Sequence, residues 1–398
     1  MEIMEWVQLA IRWIHVITGI AWIGASFYFV WLDMNLTPPV KEGAKDKAGV
    51  GGELWAIHGG GFYEVQKYRL APPEIPSTLH WFKYEAYFTW ISGFILLVIL
   101  YYFGADIYLL DRSRADISAD AAILIGLGTI FGSWIIYDLL CKSPLINHQG
   151  WFGLVLFLLL TLAAFLLSQI FSGRGAYIHI GALMGTIMAA NVLKVIIPGQ
   201  IALVTATKKG EAPDPIYGLR AKQRSLHNNY FTLPVLFIMI SNHYPMTFGN
   251  SLNWLLLAGL ALVGVMVRHY FNMKNQGRAK QGFFLLPAAF VLFCAIAWLA
   301  SPKSNEVPAE KVSFSDVEKI IHDRCTSCHA AKPSNADYPS PPKGVRLETP
   351  EQMAREKTRI RQQTVDTHTM PLGNITKMTE EERKILGWWI SQGAAITD

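Results

Sequence analysis

The stretch R324-C325-T326-S327-C328-H329 carries the most specific chemistry in the chain. Two thiols three residues apart, followed at once by a histidine, have the C-x-x-C-H spacing of covalent c-type haem attachment. The Cys325 and Cys328 thiols add across the haem vinyl groups, and His329 supplies the proximal nitrogen to the iron. The other face of the iron needs a ligand. Met370, in T-M-P-L-G-N, lies 41 residues further on, and His/Met ligation raises the potential, as suits an electron acceptor. Met353, Met378 and His368 compete for that place. A zinc half-site would want further Cys or His at ligand spacing, and a thioredoxin-type dithiol a βαβ frame. Neither pattern is present.

Residues 311–398 must position this chemistry, and they read as a small all-α, class I-like cytochrome c domain of three helices. Ser315 and Glu318 make a capping box for the first helix, Thr349 and Gln352 with Pro350 for the second, and Thr379 and Glu382 for the third. Gly393 is a helix stop. Pro333, Pro339, Pro341 and Pro342 keep the intervening stretch irregular. Residues 302–310 read as a linker.

The rest of the chain is of another kind. Over 398 residues, 52% are hydrophobic and only 16% charged, too apolar for one soluble globule. Apolar runs long enough to span a bilayer fall at Trp13–Leu32, Ala86–Phe103, Ala121–Leu140, Trp151–Phe171, Ala176–Ile197, Asn229–Tyr244, Ser251–Val267 and Gly282–Ala300. Residues 1–301 are therefore expected to form an eight-helix transmembrane domain, and the fold class is mainly α. The acidic start MEIMEW lacks the basic segment of a signal peptide, so the first run is expected to be kept as a helix. The net charge of +5 arises within residues 1–300, which hold 21 Lys+Arg against 16 Asp+Glu. That excess reads as membrane topology, with no nucleic-acid partner. Loops 33–85, 141–150, 198–228 and 268–281 carry 16 Lys and Arg, against 3 in the loops between them. The basic set is expected to face the cytoplasm, with the N-terminus and the cytochrome c domain on the outer side, where haem is attached.

The two halves of the bundle suggest a four-plus-four repeat. W13-I14-H15 answers Y177-I178-H179, and L79-H80 answers L226-H227. Paired histidines on facing helices hold b-type haem, so His15 and His179 are candidate ligands of a second haem. At the inner face, His58, Gly59, Gly60 and Gly61 begin a set that includes His80, Lys83, Glu85, Asn191, Lys194, His227, Asn228 and Asn229. Cations, amides and aromatic rings together suit a small planar anion. The competing reading is positive-inside loop charge with snorkelling lysines.

The runs L54-W55-A56-I57-H58-G59-G60-G61-F62-Y63, L79-H80-W81-F82-K83, H227-N228-N229-Y230 and S241-N242-H243-Y244 resemble the bacterial membrane-bound urate oxidases. That resemblance covers essentially the whole chain. It implies an inner-membrane, multi-pass enzyme with an eight-span domain and a C-terminal cytochrome c domain. It implies that urate is oxidised and hydrated to 5-hydroxyisourate, with electrons passing to cytochrome c and no hydrogen peroxide formed. His80, Lys83 and Glu85 are expected to handle protons, and His58, Asn191, Lys194, His227, Asn228 and Asn229 to bind urate. Electrons would leave to a soluble cytochrome c or a terminal oxidase. Three alternatives stay open: a quinol–cytochrome c oxidoreductase, a non-catalytic membrane electron relay, and a transporter fused to a cytochrome.

Overall fold

Unbroken apolar runs with polar residues at their starts give long capped helices, in a computed structural model that describes residues 2–301 and 311–397. The expected linker 302–310 lies outside the described residues. The helices are α1 (Glu2–Asn35), α2 (Tyr84–Leu97), α3 (Ala119–Lys142), α4 (Gln149–Ile170), α5 (Gly173–Asn191), α6 (Ile197–Lys208), α7 (Pro215–Ser241), α8 (Asn253–Asn275) and α9 (Leu285–Ala300). Side chains of Ser118, Ser172 and Asp214 accept from the first-turn N–H groups of α3, α5 and α7, pairing donors that would otherwise be orphaned. α2 runs on through a π-helical turn at Val98–Tyr102, and a second such turn follows at Ala105–Leu109. Another π-helical turn, Val192–Ile196, joins α5 to α6 directly before Pro198, whose missing N–H cannot continue the α-helical ladder.

Among the described residues, seven helices are long and apolar enough to cross a membrane: Ile3–Asn35, Tyr84–Tyr102, Ala119–Lys142, Gln149–Ile170, Gly173–Lys208, Asn253–Asn275 and Ala279–Ala300. The sixth expected span falls within α7, which is outside that set. Its first half, PIYGLRAKQRSLHNN, is polar. It packs among α1, α5 and α8, so protein partners surround its Arg224, His227, Asn228 and Asn229 side chains. α5 is the central helix, in contact with α2, α3, α4 and α7. Its His179 and Asn191 have no exposed surface.

Residues 50–68, expected as loop, form an antiparallel hairpin of β1 (Val50–His58) and β2 (Gly61–Tyr68). Gly59 and Gly60 have φ of +58° and +81°, the left-handed pair a two-residue hairpin turn demands. The glycine run thus serves the turn, and His58 sits at an exposed tip.

The C-terminal lobe is built on α10 (Phe314–Arg324), α11 (Pro350–Arg355) and α12 (Glu380–Ser391). It has its own core, with Val317, Ile321, Met353, Leu386 and Trp389 nearly inaccessible. The boxes at Thr349/Gln352 and Thr379/Glu382 form as expected. The first helix departs from expectation: Ser313 is its N-cap, accepting from the Ser315 N–H at 3.2 Å, so Ser315 lies inside the first turn. Gly393 takes φ +104° just past α12. Replacing Thr379 by Ala should lower the stability of the lobe by about 1 kcal/mol, read from thermal unfolding of the full chain against wild type.

Candidate functional site

In the C-terminal lobe, Cys325 follows α10 and Thr326–His329 makes a single helical turn. Positions three and four apart share a helix face, so Cys325, Cys328 and His329 lie on one side. The Nδ1–H of His329 donates to the Val345 carbonyl at 3.1 Å, leaving Nε2 for a metal. Burial lowers the His329 pKa, partly opposed by that carbonyl, which keeps the ring in the neutral form a metal needs. Burial first, then the neighbouring Cys328, pushes Cys325 up to about 12. Among the described residues no group of three or more His, Cys, Asp and Glu gathers as a metal-ion site, so the zinc half-site gains no partners.

The candidates for the distal ligand separate by burial. Met353 and Met378 are core residues, 1% and 3% exposed. His368 is exposed, with φ +50°. Met370 remains half-buried, its N–H bonded to the Gln363 carbonyl at 2.8 Å and its carbonyl to Arg383 at 2.7 Å. Arg383 also donates to the Thr364 carbonyl and feels the Cys325 sulfur. Cys325, Cys328 and His329 on one turn, with Met370 on a loop of the same lobe, are the residues that would hold a c-type haem.

In the bundle, a buried polar cluster joins α3, α5 and α7. Arg224 donates to Asp138 at 2.6 Å and to the Asn191 side-chain oxygen Oδ1 at 3.2 Å. The Asn191 amide donates to Asn228 at 3.0 Å and to the Tyr137 hydroxyl at 3.2 Å. Tyr137 is 2.7 Å from His227 Nδ1. The His227 ring stacks on Phe152 at 4.8 Å, and its Nε2 is enclosed without a hydrogen-bond partner. A second cluster adjoins it through Asn229, whose side-chain oxygen Oδ1 accepts from Arg268 at 2.8 Å and Asn272 at 3.2 Å. The Asn229 amide nitrogen is also buried without a partner. Unpaired buried polar atoms are costly and call for an explanation such as a bound group.

Of the expected inner-face residues, Asn191, His227, Asn228 and Asn229 are brought together. His58, on the hairpin tip, and the exposed Lys194 are not. His80 is exposed and edges the Phe82 ring; Lys83 lies against Trp81 and Tyr84; Glu85 sits in the first turn of α2. Among the described residues no side-chain hydrogen bond links these three to one another. Tyr137, Asp138, Arg224, Arg268 and Asn272 were not among the expected residues. Their signal was polar side chains within or beside apolar helices, which are expensive unless used.

His15 and His179 are not a pair. His15 Nδ1 lies 3.0 Å from the Thr89 carbonyl, with its ring against Gly93 of α2. His179 Nδ1 donates to the Gly175 carbonyl at 2.8 Å, and its Nε2 lies 3.2 Å from the Tyr102 hydroxyl. Its ring packs at Gly126 of α3. Both ring nitrogens of His179 are thus engaged inside the bundle, one by its own helix and one by Tyr102. The two histidines face different partner helices, and His80 is exposed where His227 is buried, so neither expected pair of the repeat is equivalent.

The bundle with its buried amide, guanidinium and imidazole cluster defines an apolar helical domain built around an internal polar site. Residues 1–300 match the family model described as Urate oxidase N-terminal, and the chain belongs to that family. No curated protein and no solved structure matches it.

Met370→Ala should leave haem covalently attached but lower its reduction potential, seen by redox titration with a changed oxidised spectrum. Met353→Ala should instead cost about 2–5 kcal/mol of stability and leave the potential unchanged.

Proposed function

We propose that this chain is a membrane-bound urate oxidase whose electrons pass to a haem c on its own C-terminal lobe. Family membership over residues 1–300 carries the substrate assignment, and the haem-compatible Cys325, Cys328, His329 and Met370 carry the acceptor. Residues 1–301 would form the urate-oxidising unit, with α7 as its eighth span, 302–310 the linker, and 311–398 the cytochrome c domain. The basic loops would face the cytoplasm and the cytochrome domain the periplasm.

The chemistry balances as a two-electron oxidation: urate and water give 5-hydroxyisourate, two protons and two electrons. We place urate at the buried cluster and not at the scattered His80, Lys83 and Glu85. Arg224 would offer charge to the anion, Asn228 its remaining N–H and Asn191 its side-chain oxygen to the ring edges, and the Phe152 ring a flat wall. His227 Nε2, free of any protein partner, would take a proton. The bound haem would supply one-electron acceptance at a raised potential. A soluble cytochrome c or terminal oxidase would take the electrons onward.

The test is anaerobic addition of urate to the purified, oxidised, full-length protein. Growth of the reduced c-type bands is expected. Reduction by a quinol but not by urate would overturn the proposal in favour of quinol–cytochrome c oxidoreduction. Asn228→Ala should lower kcat/KM for urate roughly tenfold, the ~1.4 kcal/mol scale of one hydrogen bond to a charged ligand, with haem content unchanged. An unaltered kcat/KM would remove Asn228 from the site.

A further inference from the structure

The second polar cluster of the bundle, around Asn229, differs from the first in its charge balance. In the first, Arg224 is ion-paired with Asp138 at 2.6 Å. In the second, Arg268 of α8 is 6% exposed, and among the described residues no carboxylate pairs with it. Its Nε donates to the side-chain oxygen of Asn229 at 2.8 Å and its Nη2 to that of Asn272 at 2.9 Å. Its guanidinium carbon stands 4.3 Å from the centre of the Phe27 ring of α1. Amide dipoles and an aromatic face stabilise a cation but leave its charge in place. Among the described residues, Arg268 Nη1 has no hydrogen-bond acceptor.

Asn229 adds a second unmet need. It has no exposed surface, and the amide whose oxygen accepts from Arg268 has its Nδ2 buried without a partner. An uncompensated charge and an unused donor thus meet in one place inside an apolar bundle. Each is costly until an acceptor carrying negative charge joins them. α7 keeps this place apart from the first cluster. Asn228 donates to the Met188 carbonyl and accepts from Asn191, both on α5, while Asn229 bonds to residues of α8. Neighbouring residues on a helix point about 100° apart. Arg268 lies about two turns before the end of α8 at Asn275, and Phe27 about two turns before that of α1 at Asn35, on the order of 10 Å inside the bundle end. That end carries the basic loops 33–85 and 268–281, whose field draws anions. Tyr28 and Phe29, next to Phe27, are exposed, so the place also lies near the outer face of the bundle.

We propose that Arg268 and Asn229 form an oxyanion-binding site between α1, α7 and α8, separate from the Arg224 cluster. The ligand is a phosphate or carboxylate group, free in solution or at the head of an anionic lipid. Arg268 supplies the positive charge and Asn229 Nδ2 a buried donor, while Asn272 and Phe27 hold the guanidinium in place. A guanidinium with an unused edge suits oxygens of this kind. The site is independent of the substrate that the first cluster takes, and no bond is made or broken in it.

The test is thermal unfolding of the full-length protein, followed by loss of helical circular dichroism at one scan rate. Wild type is compared with Arg268→Met and Asn229→Asp in two media. One is delipidated detergent solution with inorganic phosphate or chloride at equal ionic strength. The other is nanodiscs of phosphatidylcholine with or without phosphatidylglycerol. A ligand that binds only the folded state raises the midpoint, here by roughly 5 °C at large excess. A rise with inorganic phosphate identifies a free anion as the ligand, and a rise with phosphatidylglycerol alone identifies a lipid head group; either supports the site. Arg268→Met removes the uncompensated charge, so it should unfold at or above the wild-type temperature in chloride and respond to neither addition. Asn229→Asp supplies the carboxylate from within, so it should also unfold higher and lose the response. No response in wild type, an equal response in Arg268→Met, or a lowered midpoint for Asn229→Asp in chloride would each overturn the proposal. Should Arg268→Met fail to fold, Asn229→Asp decides alone.

Discussion

The rest of the structure depends on one constraint: a polar group inside an apolar bundle must find its partner within the protein. α5 is where that constraint acts most strongly. It runs through the middle of the bundle with two fully buried polar side chains, His179 near its start and Asn191 at its end. His179 is satisfied by its own helix and by Tyr102. Asn191 is satisfied only because α3 and α7 bring Tyr137, Arg224 and Asn228 to it. The π-helical turn that follows Asn191 is the local adjustment by which the helix passes from this cluster to Pro198.

The same constraint explains why α7 carries so many charged and amide groups yet packs inside. Arg224 is 4% exposed and ion-paired to Asp138 at 2.6 Å, with Lys142 on the other carboxylate oxygen at 2.6 Å. A buried ion pair is weak evidence for stability, because desolvation offsets much of the attraction. Its retention is better understood as pre-organisation, a guanidinium held beside two amides and an imidazole whose Nε2 has no partner of its own. Satisfaction is nearly complete around that atom, which makes the exception informative.

The polar cluster and the C-terminal lobe stand at opposite ends of the bundle. The polar cluster sits at the bundle end formed by Lys142, Arg224 and the close of α5. The C-terminal lobe sits at the opposite end, on Ala105–Leu109 and Gly249. α5 spans the interval, and at about 1.5 Å per residue its length sets the distance between the polar cluster and the end of the bundle that meets the C-terminal lobe. Glycines at Gly249 and Gly373 permit the close approach of lobes whose hydrophobic cores are independent.

Much of this was legible in the residues, because periodicity and spacing are local. Long apolar runs fix helices by their own hydrophobicity, Thr349/Gln352 and Thr379/Glu382 fix helix starts by reaching only three residues, and Cys325, Cys328 and His329 share a face by helical geometry alone. The hairpin was legible in principle, since Gly59-Gly60 between two strand-like runs is a turn signal, but the glycines read equally well as room for a ligand. What sequence could not decide was which distant polar groups meet. His58, Lys194 and His80 have the same chemical capacity as His227 and Arg224, and only packing leaves the first three exposed and buries the last two. Likewise His15 and His179 look alike in sequence, yet one packs on Gly93 of α2 and the other on Gly126 of α3. A side chain's type sets what it can do; the fold sets its partners, because contacts between residues tens or hundreds apart depend on how whole helices pack, and no short stretch of sequence encodes that.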